Sequence, residues 1–476
     1  LLMTILFSAA AAYLGLKVGQ VFEAAIPIAI IAIGLSGVAK KNDALSQNVI
    51  IQSIGGCSGG VVAGAIFTLP ALYILQGKGY EIEINYMQVF LASLLGGILG
   101  ILFLIPFRKY FVKEQHGKFP FPEATATTQV LVSGQKKGKD SLLLVVSGLI
   151  GGVYDFLVST FGLLTESLST KVMTWGLAVA DSAKLMFKVN VGAAVLGLGY
   201  IIGLKYAFII CCGSMLVWFV IIPGMNIFWG NEVIDLMNSG ISMTIGQMEP
   251  EMIFKEYARH IGIGGIAMAG VVSIIKSWSV IKSSVGLAAN EFKGKKNNVV
   301  ESRTDSDLSM KFVVIGIIVV LIITFLFFWL GVVGNVKHAL VGILVVAVIS
   351  FLFTTVAANA IAIVGSNPVS GMTLMTLILA SLVMVAAGLS GAMGMTAALI
   401  IGGVVCTALA VAGAFITDLK VGYWIGTTPR NQEIWKFVGV AVAAATVAGV
   451  IMVLNKAYGF VGDDALVAPQ ANAMSA

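Results

Sequence analysis

The sequence predicts an all-α protein, a polytopic transmembrane helix bundle of about thirteen spans with broken or re-entrant segments. Three observations carry this reading. Hydrophobic residues fill 58% of 476 positions and charged residues only 11%, against about a quarter charged in soluble domains. Mean hydropathy is +0.98. The apolar residues also cluster into runs long enough to cross a hydrocarbon core of about 30 Å. So few charges cannot cover a soluble surface, which excludes a cytosolic enzyme, a nucleic-acid binder and a disordered chain. The expected surroundings are a lipid bilayer, with no nucleic acid as partner.

The runs lie at 1–16, 18–39, 46–75, 87–107, 141–164, 189–204, 205–228, 257–275, 311–333, 337–358, 370–388, 392–416 and 434–455. Each is read as a helix, because lipid offers no partner to an unpaired backbone group. Barrel strands would be half as long and would alternate in polarity. Two stretches are mixed, 117–135 and 165–188, and read as re-entrant hairpins, interfacial helices or loops. The chain opens inside an apolar run at Leu1, so it is expected to be part of a longer protein.

Charge orients the runs. Net charge is +6, from 29 basic and 23 acidic residues. With the first span starting in the cytoplasm, 20 of the 29 basic residues fall on cytoplasmic segments, among them Arg108, Lys113, Lys118, Arg303, Lys420, Arg430 and Lys436. The acidic loop with Glu232, Asp235, Glu249, Glu251 and Glu256 falls outside. This fits the positive-inside rule and makes the excess a matter of topology.

A weak internal repeat divides the chain. Leu14-Gly15-Leu16-Lys17-Val18-Gly19 and Leu330-Gly331-Val332-Val333-Gly334 each close a span, and a small-residue segment follows each, Gly55–Gly60 and Gly365–Gly371. The division places a first repeat of about eight spans at 1–310, ending in a flexible cytoplasmic linker at 293–310. A partial second repeat of about five spans and a polar tail occupies 311–476. An even number of intervening spans makes the repeat parallel.

Polar breaks and intramembrane charges are the candidate functional residues. Gly56, Ser58 and Gly59 sit in a glycine-rich run that reads either as close helix packing or as an unwound, cavity-lining helix. Ser366, Asn367, Pro368 and Ser370 mark a second break, since proline removes a donor and pushes its predecessor out of the α region. Both are assigned to substrate binding. Charged groups within spans are costly and are functional candidates by default. Glu23 and Glu123 are assigned to proton coupling, with Asp155 as a further candidate. A helix starting at Pro122 would set Glu123 in its first turn, where the dipole favours charge and burial opposes it. Asp418, Lys420, Tyr423 and Arg430 are read as gating or structural residues, with Asp418 and Lys420 as an interface ion pair near a cytoplasmic mouth.

Gly56-Cys57-Ser58-Gly59-Gly60 also fits G-x-S-x-G, so the reading of another class is an intramembrane serine hydrolase using Ser58. That motif needs a strand–turn–helix setting. Cys57, Cys211, Cys212 and Cys406 lie in apolar stretches and read as small buried hydrophobes. With His116, His260 and His338 they form no metal-binding spacing. No catalytic residue, resident metal or cofactor is expected.

Four segments in order resemble the oligopeptide transporter (OPT) superfamily, the group that also holds the yellow stripe-like metal-chelate transporters, and most resemble its prokaryotic branch. They are Tyr13–Gly19 with Ile26-Pro27; Phe119-Pro120-Phe121-Pro122-Glu123-Ala124-Thr125-Ala126; Ser366–Thr373; and Asp418–Tyr423 with Gly426–Arg430. The sequence departs from the pattern at Glu23, where a small or hydroxyl residue is expected, and at Ala124, where glycine is usual. The resemblance implies about sixteen spans and proton-driven uptake. The implied substrate is a small oligopeptide, or alternatively a metal–chelate complex of siderophore type. The expectation is a secondary active transporter of the inner (plasma) membrane, its site between the repeats and lined by 55–60 and 366–371. Assembly into a homo-oligomer stays open.

The sidedness is testable. Single cysteines at Asn297 and Asn238 should be labelled from opposite sides of the membrane by an impermeant maleimide. Labelling from the same side would overturn the alternation.

Overall fold

The computed structural model describes the chain except for residues 20, 22, 23, 39–43, 135–138, 162–164, 166, 203, 236–241, 263, 266, 267, 270, 271, 273, 274, 276–302, 366–368, 463, 464 and 476. Contacts divide it into two compact units, Leu1–Ser141 with Ile266–Ala476, and Leu142–Gly265. This grouping follows packing, and so differs from the sequence division at 310.

The first unit holds α1 (Leu2–Val18), α2 (Ala25–Val38), α3 (Ala44–Thr68), α4 (Pro70–Gly77), α5 (Tyr86–Arg108) with a π turn at Lys109–Glu114, and α6 (Pro122–Ser133). The second unit begins within α7 (Lys139–Phe161). It continues through strand β1 (Ser167–Ser169), α8 (Thr174–Ala183), strand β2 (Lys188–Asn190), α9 (Ala193–Ile202), α10 (Leu204–Leu216), α11 (Ile222–Trp229) and the short α12 (Pro250–Ile253). The chain returns to the first unit with α13 (Met310–Phe328), α14 (Val336–Val364), α15 (Val369–Ala386), α16 (Gly391–Ile425), α17 (Pro429–Ala457) and α18 (Pro469–Ser475).

Seven described helices are long and apolar enough to cross a membrane, and four shorter apolar helices accompany them. Together they account for eleven of the thirteen expected runs. The run at 189–204 holds most of strand β2 and the ten residues of α9. The run at 257–275 lies partly outside the described residues. The mixed stretches also resolve. Most of 117–135 is the helix α6, and 165–188 forms a small β-hairpin around α8, with Leu168 opposite Val189.

The first unit is organised around α16. Residues 397–422 of that helix are buried throughout, packed by α3, α5, α14 and α15. Glycines make this approach close. Gly60 of α3 lies against Val411, where an added Cβ would come within 3.1 Å of the backbone. A Cβ at Gly64 would collide with Thr407, and at Gly96 and Gly100 of α5 with the backbone of Val404 and Ala408. These are small-residue interfaces of the kind that lets membrane helices touch. They also correct an expectation. Residues 55–60 are not unwound: α3 runs unbroken from Ala44 to Thr68, because its glycines face a neighbouring helix that fills the space beside them.

The second unit has its own core of Ile222, Ile245, Met248, Ile253, Tyr257 and Ala258. Lys171 pairs with Glu249 at 3.0 Å and Glu251 at 2.6 Å, joining the two acidic and hairpin loops of this unit. Partial burial works against the Lys171 ammonium, but its bonds to Glu251 and Glu249 hold its pKa above the ordinary lysine value. Asp155, a candidate functional charge, accepts the Ala193 N–H at 2.7 Å and so fixes the start of α9.

The packing predicts a stability cost. Gly64→Val should destabilise the protein by at least about 1–3 kcal/mol through overpacking, seen as a lower thermal midpoint in detergent. Gly148→Ala, which meets open space, should leave the midpoint unchanged. Equal midpoints for the two variants would contradict the packing account.

Candidate functional site

Asp418 lies on the buried helix α16 and is 2% exposed. Its carboxylate is met from two sides. Lys436 of α17 donates to Oδ2 at 2.5 Å, and Gln52 and Ser53 of α3 donate at 2.6 and 3.3 Å. Lys436 also donates to the Ser53 carbonyl at 2.9 Å and lies over the Phe415 ring at 5.3 Å. Gln432 closes the shell on the Asp418 carbonyl at 3.0 Å. A buried ion pair is tolerated only when such extra bonds satisfy both partners. The expected pairing of Asp418 with Lys420 is therefore replaced. Residues two apart on a helix point about 200° apart, so the two side chains face different neighbours.

Lys420 forms a second cluster on the other face of α16. Its ammonium donates to the Val112 carbonyl at 2.7 Å and meets His116 Nδ1 at 3.0 Å. The rings of Phe121, Tyr423 and Trp424 stand 5.2–5.3 Å away, an arrangement that favours a cation through the ring quadrupoles. Lys420 is 1% exposed and His116 is exposed, so the cluster reaches from a surface loop to the central helix.

The Phe-Pro-Phe-Pro-Glu segment joins this cluster. Phe121 takes a left-handed backbone, φ 42, and its N–H donates to the Ala362 carbonyl at 2.9 Å. Pro122 then starts α6 and places Glu123 in the first turn, buried at 8% exposure. Gly365, the left-handed cap of α14, seats against the Pro122 ring, where an added Cβ would lie 3.1 Å away. Ala124 is helical and fully buried.

The remaining candidates separate. Gly56 faces Asp418, and its added Cβ would stand 3.6 Å from both carboxylate oxygens. Gly59 is buried within α3. Ser58 is buried and its Oγ has no partner among the described residues. Arg430 is exposed, and its backbone N–H donates to the Ser306 carbonyl at 3.0 Å. Glu23, Ser366, Asn367 and Pro368 lie outside the described residues, as does the side chain of Ser370. Sequence reasoning missed Gln52, Ser53 and Lys436. The one signal was an uncharged polar pair, Gln52-Ser53, inside an otherwise apolar run.

Comparison with known proteins identifies the chain. The sequence model of the OPT oligopeptide transporter protein family matches residues 1–476. The chain is 28% identical to a protein of Haemophilus influenzae named "Putative oligopeptide transporter", over 98% of the chain and 74% of that protein. The chain belongs to the OPT oligopeptide transporter family. It is a multi-pass membrane transporter and not an enzyme. The serine-hydrolase reading of Ser58 falls with this, and the uninterrupted helix around Ser58 gives the physical reason, since no strand–turn–helix elbow exists there.

The buried pair predicts a recoverable defect. Lys436→Met leaves Asp418 uncompensated and should cost about 3–5 kcal/mol. Adding Asp418→Asn should recover most of it. Thermal midpoints of the single and double variants check this, and additive losses would contradict the pairing.

Proposed function

We propose that the chain imports small oligopeptides across the inner (plasma) membrane, driven by protons, with Glu123 as the coupling carboxyl. The supporting observation is the meeting of three segments distant in sequence. The Phe121 N–H bonds Ala362, Pro122 seats Gly365, and Lys420 lies over the Phe121 ring. Glu123 thus stands at a helix start where the Gly365 cap of α14 and the central helix come together. A buried carboxyl there can load a proton from one side and release it to the other when access changes.

The substrate follows from the family description and from the printed name of the Haemophilus protein. The metal–chelate alternative is separated by experiment. Proteoliposomes with an acidic exterior should accumulate a labelled tripeptide, and an iron–chelate complex should not compete. The reverse preference would move the substrate class to metal chelates. A protonophore should abolish accumulation, which also excludes a passive channel.

Glu123→Gln should reduce proton-driven accumulation at least tenfold while substrate binding stays measurable. Glu23→Gln should be milder. Full dependence on the pH gradient in Glu123→Gln would place the carrier elsewhere and leave the charge as a helix-start stabiliser worth about 0.3–1 kcal/mol.

A further inference from the structure

The segment joining the two sequence repeats is not a free linker where it is described. Residues 303–309 form a strap, and six of the seven are tied to the end of α5 and its π turn, to the end of α16 or to the start of α17. Arg303 Nη2 donates to the Gly426 carbonyl at 2.6 Å. The Thr304 carbonyl accepts from Arg108 Nη1 at 3.3 Å. Asp305 pairs with Lys113 at 2.7 Å. The Ser306 carbonyl accepts the Arg430 N–H at 3.0 Å. Asp307 takes Arg108 in a two-pronged pair at 2.5 and 2.8 Å. The Leu308 N–H donates to Glu433 Oε2 at 2.7 Å.

Two of the anchors are buried charges. Arg108 at the end of α5 is 1% exposed, and Glu433 in the first turns of α17 is fully buried. Glu433 Oε1 is buried and has no hydrogen bond among the described residues. Its Oε2 takes the N–H of Leu308, the strap residue next to Asp307, which sets the two carboxyl groups side by side. The guanidinium at this pair, Arg108, is bonded to Asp307. Like charges this close in a dry site do not both ionise, and such pairs hold one proton in common. Arg108 and Asp307 are the charged groups that act on Glu433. Of the other charges nearby, Lys113 is engaged by Asp305, Lys436 by Asp418 and Arg303 by Gly426. Arg430 is exposed.

We propose that Asp307 and Glu433 hold one proton between them and that this proton latches the strap across α5 and α17. With the proton in place, one acid donates to the other and the strap stays down. When the proton leaves to water, both acids carry charge. Arg108 neutralises one, the acids repel, and the strap lifts from α17 while Asp307 keeps its guanidinium. The closed strap is thus favoured at low pH and lost as pH rises. The latch goes beyond the coupling role of Glu123. Only its direction rests on the proposed transport: on a cytoplasmic face, an alkaline interior would release the strap and a more acid one would hold it.

The test needs no substrate, so its outcome is independent of the transport assay. Ser306→Cys in a chain with Cys211→Ala and Cys212→Ala reports the strap, and Lys118→Cys, exposed on a loop, corrects for the thiol's own pH dependence. In nanodiscs, the corrected rate of maleimide labelling should rise at least fivefold from pH 6 to pH 8. With Glu433→Gln it should change less than twofold. A flat rate in the chain that keeps Glu433, or a rise that survives Glu433→Gln, would overturn the latch. Should the glutamine variant not fold, Asp307→Asn removes the other acid and must abolish the same rise; a rise that persists there overturns the latch equally.

Discussion

The first unit depends on the burial of α16. A helix enclosed over residues 397–422 meets neither lipid nor water along that length, so every polar group it carries must be answered by a neighbour. Two demands follow and pull in different directions. The backbone must be approached closely, which only glycine-bearing faces of α3 and α5 allow. The charges of Asp418 and Lys420 must be satisfied without water, which requires long polar side chains or carbonyls from the same neighbours. Helix α3 meets both demands at once, with Gly56, Gly60 and Gly64 for contact and Gln52 and Ser53 one turn earlier for Asp418.

The charges along this end of the unit then form a hierarchy set by burial. Asp418 and Lys436 are enclosed, pair with each other and are answered by α3, Asp418 by the Gln52 and Ser53 side chains and Lys436 by the Ser53 carbonyl. Lys420 is enclosed but answered by a carbonyl, an imidazole and three rings. Arg108 and Glu433 are enclosed and bonded by the strap, while Lys113 and Asp305 are partly open to solvent. Desolvated charges keep fixed partners, whereas the outer ones are screened and contribute little each. The arrangement is rigid at its centre and more easily opened toward the loops.

The bundle was legible in the sequence because span length and low charge are properties of composition. The helix start at Pro122 was legible because proline suits a first turn. The site was less so. Lys436 reads as a basic flank of the last span and contributes to the positive-inside count, yet it turns inward to a carboxylate 18 residues earlier. Glu433 reads as one more charge in a polar connection, and nothing in its neighbourhood marks the strap that buries it. The glycines at 55–60 carry an ambiguity that sequence cannot resolve, because glycine permits both an unwound turn and a close contact. Only the partner helix decides between them. Of the seven expected substrate-binding residues, Ser366, Asn367, Pro368 and the side chain of Ser370 lie outside the described residues, so that segment is placed only by its flanking ends, Gly365 and Val369.

Phe121 holds a conformation that a residue with a side chain adopts reluctantly, at a cost of roughly 1–2 kcal/mol. Glycine would sit there without strain, but it would remove one wall of the box around Lys420. The position is locally frustrated: backbone preference and charge stabilisation ask for different residues, and the ring has prevailed. Such a point is where the energy landscape is shallowest, since relaxing the backbone and releasing the cation partly offset each other. Strain and charge stabilisation thus meet at one residue of the turn that starts α6, and relieving the first would forfeit part of the second.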